Sequence, residues 1–287
     1  MLTLTFMRRA SIKPYLYLLP ALLLAAAFTF LPLLKALGAS FLTVSASGKV
    51  QGWAGLSNYL RLFRDTWFRR SILNTLQFAL IFVPLNTALV LLASSLTRHK
   101  SSPLAEYLFS MPLAVSLASA SLIFKELFKG KVNIINRIFG TACPWLESPG
   151  TAMAVLALLG VFLDFGLDYL LLLSAFRSTD RDILDAARLD GAGGLQLYFR
   201  IELPMIRSML GVVVFMALKE ALLISAPVMI LTEGGPYRST ETVMYFYYLE
   251  AFKSGNRAVE STVAVLAVLA SVLLMTALNL LRRNSDE

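Results

Sequence analysis

The sequence predicts an all-α, polytopic membrane protein in which six helices span the bilayer. Of its 287 residues, 57% are hydrophobic and 15% are charged, and the mean hydropathy is +0.69. A soluble domain of this length is less apolar, so the bilayer is the expected solvent. The apolar runs reach the ~20 residues that a helix needs to cross ~30 Å of hydrocarbon. They show no regular ten-residue alternation, which argues against a membrane β-barrel.

Six apolar segments fit such spans along the chain. They are residues 14–37, 71–96, 105–128, 151–176, 206–231 and 259–281. The first resembles a signal peptide, but its apolar run is long and no small-residue cleavage site with a polar domain follows, so we interpret it as a retained span. We expect one membrane domain, residues 14–281, with the terminal segments 1–13 and 282–287 on the same side of the bilayer.

The charge of the chain excludes one class of function and does not settle its orientation. The net charge is +8, but the basic residues are scattered over the loops, so nucleic-acid binding is not indicated. Membrane proteins often carry such an excess beside anionic lipids. Lysines and arginines divide almost equally between the two sets of loops, so the positive-inside rule does not orient the chain.

The loop between the first two spans, residues 38–70, has an amphipathic pattern. It contains the stretch WAGLSNYLRLFRDTWFRRS, in which Leu60, Phe63 and Trp67 are interleaved with arginines. This pattern predicts a helix lying at the membrane surface. Docking of a partner outside the membrane explains it equally well, and the two interpretations are compatible.

Residues 178–204 form the one long hydrophilic loop between the fourth and fifth spans. Thr179 is the predicted N-cap of a short helix, and Gly191 is its predicted end. A second short helix is expected over residues 194–203, and Pro204 suits the first turn of the fifth span. The segment therefore predicts a compact pair of helices outside the bilayer.

These two helices carry apolar side chains that the bilayer cannot cover. The first helix has a stripe formed by Ile183, Leu184 and Ala187. An exposed apolar patch on a polar loop indicates a protein partner. Packing on the chain's own bundle is an equally good explanation, and the residues alone leave both open.

Four charged residues lie midway along the fourth and fifth spans: Asp164, Asp168, Lys219 and Glu220. A charge there costs about 2.5–3.5 kcal/mol on insertion scales, so these groups should face the bundle interior or a water-filled cavity. An ion pair of Lys219 with Asp164 or Asp168 is one explanation, and the lining of a substrate cavity for a hydroxyl-rich solute is the other. Three polar residues that also suit hydrogen bonds between helices are weaker candidates for that cavity: Asn74, Asn86 and Ser225.

Three motifs resemble those of the permeases of binding-protein-dependent ABC importers. The family's acid-Ala-Ala motif, with a later glycine and Ile-x-Leu-Pro, is matched by Asp185, Ala186, Ala187, Gly191, Ile201, Leu203 and Pro204. The stretch WAGLSNYLRLFRD and the pair Asn74–Thr75 resemble the approach to the second span in the sugar-transport branch. The stretch LTEGGPYRSTETVMYFYYLEAF resembles the outer loop of the maltose-type first permease subunit, with the motif Gly234, Gly235 and Pro236. Asp185 departs from the family's usual Glu.

The resemblance implies the six-span fold of type I ABC importer permeases. In that fold the loop is a coupling helix seated in a cleft of a cytosolic ATPase subunit. Together with the motif residues, the side chains implied in this contact are Leu195, Tyr198, Phe199 and Ile201. The resemblance also places the loop and both termini in the cytosol and the Gly-Gly-Pro motif outside, in the plasma membrane of a bacterium or an archaeon.

The resemblance further implies a carbohydrate, a sugar derivative or a polyol as the solute, and a set of partners. The partners are a second, homologous permease subunit, two ATPase subunits, an extracytoplasmic solute-binding protein and membrane lipid. The chain has no GxxxxGK[ST] phosphate loop. We therefore expect ATP and Mg²⁺ on the ATPase subunits, and no catalytic residue, cofactor or metal site in this chain.

The main alternative is an ion-coupled secondary transporter with Asp164 and Asp168 as its coupling-ion site. Such a carrier needs no coupling loop and usually shows an inverted internal repeat, which we do not find in the sequence. A purely structural membrane scaffold is a third class, but it would not need charges midway across the membrane.

Overall fold

The computed structural model describes residues 13–44, 49–98 and 102–286. Residues 1–12 of the expected amino-terminal segment and residue 287 of the expected tail lie outside that part. Six helical segments follow the predicted spans in order, and we number them segments 1 to 6. The predicted helical architecture is confirmed.

Four of these segments contain helices that are long and apolar enough to cross a membrane. They are residues 13–40 for segment 1, Thr66–Thr97 for segment 2, Pro149–Arg177 for segment 4 and Arg257–Asp286 for segment 6. Segment 1 consists of Lys13–Ala25, a π-helical turn at Ala26–Phe30 and Leu31–Ser40. Segment 6 continues as a helix through the expected tail up to Asp286, so no helix end marks the predicted boundary after residue 281.

Segment 3 is bent, which corrects the single span predicted over residues 105–128. Helix Pro103–Ser110 leads into a 3-10 turn, Met111–Ala114, and helix Leu117–Phe128 then leaves at an angle of 97°. Pro112 lies in this turn, where its ring fixes φ and it has no N–H to donate. Because both halves are apolar, hydropathy alone does not reveal the bend.

Segment 5 is interrupted, although a single span was predicted over residues 206–231. Helix Arg207–Leu223 ends, residues 224–225 leave the helical conformation, and helix Ala226–Leu231 follows. Pro227 explains the break, because it cannot donate to the carbonyl four residues earlier and its ring clashes with that carbonyl. The break frees backbone groups in the middle of the segment.

The loop 178–204 contains both predicted short helices, with a correction at the start of the first. That helix is Arg181–Leu189, and its N-cap is Asp180 instead of Thr179. Asp180 Oδ1 accepts a hydrogen bond from the backbone N–H of Asp182 at 2.9 Å. An aspartate is a strong cap because its carboxylate also interacts favourably with the helix dipole.

Gly191 ends the first helix of the loop, as predicted. Its φ is +87°, and the backbone N–H of Ala192 donates to the Ala187 carbonyl at 3.0 Å, which is the closure typical of a Schellman motif. The second helix consists of Gly194–Leu197, the π-helical Tyr198–Glu202 and Leu203–Met205. The chain then bends by 70° before segment 5. Pro204 therefore lies in the last turn of the loop and does not open segment 5.

The connections at the end of the bundle opposite the loop 178–204 contain smaller elements. Between segments 1 and 2, an antiparallel hairpin that the sequence did not reveal pairs Leu42–Val44 with Val50–Trp53. The predicted amphipathic helix follows as Ser57–Arg64, which buries Leu62 and exposes Leu60. Other short helices are Ile134–Phe139 before segment 4, and Val243–Tyr248 with Leu249–Ser254 before segment 6.

Segments 2, 4 and 5 form the centre of the bundle. Phe78 and Phe82 of segment 2 stack with their ring centroids 5.2 Å apart. They pack on segment 4 at Gly160, where an added Cβ would lie 3.1 Å from Phe82 Cδ2. Close approach through a small residue is typical of helix pairs in membranes. Segment 1 contacts segment 6 and leaves most of its apolar side chains exposed, as suits a helix that faces lipid.

Candidate functional site

A cavity of about 190 Å³ lies beside the break in segment 5. Three of the predicted cavity residues line it, namely Asp164 of segment 4 with Glu220 and Ser225 of segment 5. Phe78 and Phe82 of segment 2 belong to its apolar wall. A few polar groups on a mostly apolar wall are the usual composition of a small-molecule site.

Asp168 lies one helical turn from Asp164 and is enclosed in the bundle, with only 2% of the residue exposed. Its Oδ2 accepts a hydrogen bond from Nδ2 of Asn86 at 2.7 Å. Asn86 is fully buried in segment 2. This bond joins segments 2 and 4, so the geometry gives both residues a structural function in the core.

Lys219 is paired with its neighbour Glu220. The Lys219 Nζ lies 2.7 Å from Glu220 Oε1, and 41% and 47% of the two side chains are exposed. Among the described residues, Lys219 makes no ion pair with Asp164 or Asp168, which were the two pairs considered from the sequence. Of the two carboxylates that line the cavity, that of Glu220 is paired with Lys219, and that of Asp164 has no lysine at ion-pair distance among the described residues.

Asn74 connects the start of segment 2 to the loop 232–242. Its Nδ2 donates to the backbone carbonyls of Arg238 at 2.8 Å and Glu241 at 3.0 Å. Hydrogen bonding between elements was the alternative to a place in the cavity for this residue. The structure favours that alternative.

The Gly-Gly-Pro motif lies in the same loop. Gly234 has φ +80°, and a Cβ added there would lie 2.9 Å from Cε1 of Tyr245. Both the conformation and the space therefore require glycine at this position. The Thr240 hydroxyl donates to the carbonyl of Gly235 at 2.8 Å. These contacts give the loop before segment 6 a defined shape.

An ion pair with a buried carboxylate completes this loop. Arg238 Nε donates to Glu241 Oε2 at 2.6 Å, and the arginine's guanidinium carbon lies 4.2 Å from the ring centroid of Trp67. Only 4% of the Glu241 side chain is exposed. Burial raises the pKa of the Glu241 carboxyl above its usual range, and the hydrogen bond from Arg238 opposes that shift.

The loop 178–204 presents apolar side chains at its surface. The exposed fractions are 90% for Leu189, 77% for Leu195 and 60% for Phe199. Tyr198 is half-buried and stacks on Phe176 with a centroid distance of 6.2 Å, and Ile201 is also half-buried. The four side chains implied in a partner contact thus divide into an exposed pair, Leu195 and Phe199, and a pair packed on the chain itself. The exposed Leu189 was not among the predicted contact residues. Its only signal in the sequence is that it is an apolar residue at the end of a helix.

The other motif residues of the loop are mostly exposed. Asp185 Oδ1 accepts a hydrogen bond from Arg188 Nη1 at 2.7 Å, across one turn of the first helix. In the predicted apolar stripe, Leu184 is buried and Ile183 is 46% exposed. The half-buried motif residues are Ala187, Ile201 and Leu203, and the exposed ones are Asp185, Ala186, Gly191 and Pro204.

Two ion pairs at the ends of this loop were missed by sequence reasoning. Arg98 Nε lies 2.8 Å from Glu202 Oε2, and Arg177 Nη2 lies 2.6 Å from Glu106 Oε1. Each pair joins residues far apart in sequence, and no periodicity links them. The only available signal was a carboxylate, Glu202, among mostly apolar residues at the end of the loop, where Arg200 is the other charged residue.

Comparison with known proteins assigns the chain to a family. The family model of the binding-protein-dependent transport system inner membrane component matches residues 14–287. The chain belongs to this family. It is a permease subunit and an integral inner-membrane protein, as the motifs of the sequence implied.

Relatives of this permease match it over most of their length. The probable ABC transporter permease protein YurN of Bacillus subtilis is 28% identical, covering 92% of this chain and 93% of the relative. The sn-glycerol-3-phosphate transport system permease protein UgpA of Yersinia pseudotuberculosis is 30% identical, covering 89% and 90%. UgpA of Escherichia coli O157:H7 is 29% identical, also covering 89% and 90%.

Two solved structures share the fold of this permease. A bacterial ABC transporter involved in the import of the acidic polysaccharide alginate matches with a TM-score of 0.80 and 18% identity, covering 95% of this chain and 97% of the other. A bacterial alginate ABC transporter in complex with an alginate pentasaccharide-bound periplasmic protein matches with a TM-score of 0.81 and 17% identity, covering 95% and 96%. The fold is that of type I ABC importer permeases.

Proposed function

We propose that this permease is one of two homologous membrane subunits of an ATP-driven importer for a carbohydrate, a sugar derivative or a polyol. The relatives support this class of solute, since UgpA is named for sn-glycerol 3-phosphate and the structural neighbours for alginate. The cavity beside the break in segment 5 suits a hydroxyl-rich solute as well. Asp164, Glu220 and Ser225 line it, and their oxygens accept hydrogen bonds from hydroxyl groups.

The observation that carries the proposal is the exposed apolar face of the loop 178–204. Leu189, Leu195 and Phe199 are largely exposed there, and burying such surface contributes about 25 cal/mol per Å². A protein partner is the natural cover for a patch of this kind on a polar loop. Together with the family's motif, this favours a cytosolic ATPase subunit as the partner, with ATP and Mg²⁺ bound on that subunit.

The connection of this loop to the cavity gives the coupling a path. The second helix of the loop continues through a 70° bend into segment 5, and the break in segment 5 lines the cavity. When ATP draws two ATPase subunits together, the loop moves and segment 5 moves with it. The cavity then opens outward, and hydrolysis resets it to open inward.

The opposite end of the bundle is the place where solute enters. The loop 232–242 lies there, held to the start of segment 2 by Asn74. The structural neighbour in complex with a periplasmic protein supports delivery by an extracytoplasmic solute-binding protein. This arrangement requires the loop 178–204 and both termini to lie in the cytosol.

The ion-coupled alternative has no support in the family or in the geometry. It would use Asp164 and Asp168 as one coupling-ion site. The Asp168 carboxylate is instead hydrogen-bonded to Asn86 within the core, and the family of this chain is that of binding-protein-dependent transport systems. We therefore do not propose ion coupling.

Co-purification of the tagged permease with its ATPase subunit tests the proposed function. Leu195→Arg places a charge on the exposed face without filling a buried site. We expect recovery of the ATPase to fall about tenfold or more, as for a central residue of an interface. Leu56→Arg is the matched control, because this leucine is 65% exposed and lies before the amino end of segment 2, at the end of the bundle opposite the loop 178–204. This variant should leave recovery of the ATPase unchanged.

Two results would contradict the proposed function. One is a wild-type permease that is folded and yields no ATPase subunit. The other is a stable complex that survives both Leu195→Arg and Phe199→Arg, since the exposed face would then not be the contact.

A further inference from the structure

The carboxyl end of the loop 178–204 is tied to the bundle by one arginine at the end of segment 2. Arg98 Nε lies 2.8 Å from Oε2 of Glu202, whose side chain is 2% exposed. The guanidinium carbon of Arg98 lies 5.0 Å from the ring centroid of Tyr198 and 5.7 Å from that of Phe176. A cation over aromatic faces is attracted to both rings. Arg98 therefore contacts segment 4 and the second loop helix together.

The amino end of the same loop is tied to segment 3. Arg177, the last residue of segment 4, donates from Nη2 to Glu106 Oε1 at 2.6 Å and from Nη1 to Glu106 Oε2 at 3.2 Å. A guanidinium and a carboxylate bonded through both arms form a pair of defined orientation. Glu106 lies in helix Pro103–Ser110, the part of segment 3 before its 97° bend.

These two ties matter because the loop has its own points of flexibility. Gly191 and Gly193 separate its two helices, Gly194 begins the second, and a 70° bend separates the loop from segment 5. Without ties, a push on the exposed face could be absorbed by rotation at these points. With both ends fixed, the same push is carried to segments 2, 3 and 4.

We propose that Arg98 and Glu106 are positioning residues that hold the two ends of the loop 178–204 to segments 2 and 3, so that the loop and the adjoining ends of segments 2, 3 and 4 move as one body. This inference rests on the proposed function, in which an ATPase subunit displaces the loop. It assigns the transmission of that movement to two ion pairs as well as to the covalent connection with segment 5.

Spin-label distances between the end of segment 2 and the first helix of the loop test this inference in the complete importer, reconstituted in lipid nanodiscs. The labels are placed at Leu96→Cys, near the end of segment 2, and at Asp182→Cys, in the first loop helix, in a Cys143→Ser background. Both positions are exposed. Distances are measured without nucleotide and after trapping with ATP and vanadate. We expect one narrow distance that is the same in both states.

Charge reversal then separates a positioning function from general stabilisation. Glu106→Arg should broaden the distance and make it differ between the two states, and the milder Glu106→Gln should do so to a smaller extent. The swapped pair, Glu106→Arg with Arg177→Glu, should restore the narrow distance. Glu126→Arg is the matched control, because it reverses an exposed carboxylate in the second helix of segment 3, and it should change nothing.

The outcomes distinguish this inference from the proposed function. A wild-type complex whose distance shifts with nucleotide, or a Glu106→Arg complex whose distance stays narrow in both states, overturns the inference and leaves the importer assignment intact. A swapped pair that stays as disordered as Glu106→Arg also overturns it. If no ATPase subunit is recovered with the wild type, the proposed function fails and the inference falls with it.

Discussion

The side chain of Asp168 shows at the level of single residues how this bundle tolerates a carboxylate. Burying a charged group is costly unless it is hydrogen-bonded, and Asn86 supplies a donor at 2.7 Å from the neighbouring segment. Asp164, one turn away, lines the cavity instead. Two carboxylates that look equivalent in the sequence thus have different surroundings, one in the core and one at the candidate site.

Removing the donor of this pair should destabilise the protein. Asn86→Leu has nearly the same volume but leaves the buried Asp168 oxygen without this hydrogen bond, which costs about 1–3 kcal/mol. We expect a lower midpoint of thermal unfolding in nanodiscs. The double variant Asn86→Leu with Asp168→Leu should recover most of the loss, because replacing both partners by apolar groups can be nearly neutral. A single variant as stable as the wild type would mean that the bond contributes nothing.

Glu241 makes a pH-dependent contribution to stability. Burial raises its folded pKa above the ordinary value of 4.5, so the folded state holds the proton more tightly than the unfolded state. The contribution is therefore fully present below pH 4.5 and is lost as the pH rises through the folded pKa. We compare the wild type with Glu241→Gln, which has no titrating group at this position. The difference in thermal midpoint, wild type minus variant, should decrease as the pH rises, and an increase would contradict this sign.

At the level of elements, the break in segment 5 is compensated by a neighbouring loop. The Ile224 carbonyl is freed from the helix, and the hydroxyl of Thr242 donates to it at 2.7 Å. Irregular backbone at membrane depth is tolerated only where protein or a water-filled cavity surrounds it. Thr242 is fully buried. Its hydroxyl oxygen also caps the helix Val243–Tyr248 by accepting a hydrogen bond from the backbone N–H of Tyr245 at 3.4 Å.

This compensation predicts that the hydroxyl of Thr242 is required. Thr242→Val keeps the shape of the side chain but removes the donor, leaving a buried carbonyl without this hydrogen bond at a cost of about 1–3 kcal/mol. We expect a lower thermal midpoint for Thr242→Val in nanodiscs. Thr242→Ser keeps the hydroxyl and is the matched control, which should lie close to the wild type. A loss in Thr242→Ser with none in Thr242→Val would show that the methyl group, and not the hydroxyl, is what matters.

At the scale of the whole molecule, the long apolar segments were predictable from the sequence, whereas the interruptions within them were not. Hydropathy located six segments because each contains about 20 mostly apolar residues, the length that crosses a bilayer. The loop motif located the two short helices outside them. Pro112 and Pro227 were visible as possible kinks, but the sequence did not show that they accompany the bend in segment 3 and the break in segment 5. A proline in a membrane helix marks a kink in some bundles and none in others, depending on its neighbours. Pro84, for example, lies inside the continuous segment 2.

The candidate site was predicted in part for a related reason. Asp164, Glu220 and Ser225 were found because polar residues in apolar segments are rare and costly. The sequence did not show which of these residues line the same cavity, because this depends on how each helix is rotated about its own axis. The ion pairs of Arg98 with Glu202 and of Glu106 with Arg177 could not be predicted, because each depends on contacts between segments that form only in the packed bundle.

The orientation of the bundle is the remaining whole-molecule property, and the charge pattern does not decide it. Segment 4 has 29 residues, about 43 Å of helix at 1.5 Å per residue, so the connections at its two ends lie on opposite sides of the bilayer. Val132 lies before it and is 88% exposed, and Gln196 lies after it in an exposed position of the loop 178–204. The proposed function puts Val132 outside and Gln196 in the cytosol.

Labelling with a membrane-impermeant maleimide tests this orientation in intact cells. Single cysteines are introduced as Val132→Cys and Gln196→Cys in a Cys143→Ser background, so that each variant has one reactive thiol. Val132→Cys should react in intact cells, whereas Gln196→Cys should react only after the membrane is permeabilised. Reaction of both variants in detergent shows that each thiol is accessible. The reversed pattern would place the loop 178–204 outside the cell, where no cytosolic ATPase subunit can reach it, and the coupling function proposed for that loop would be excluded.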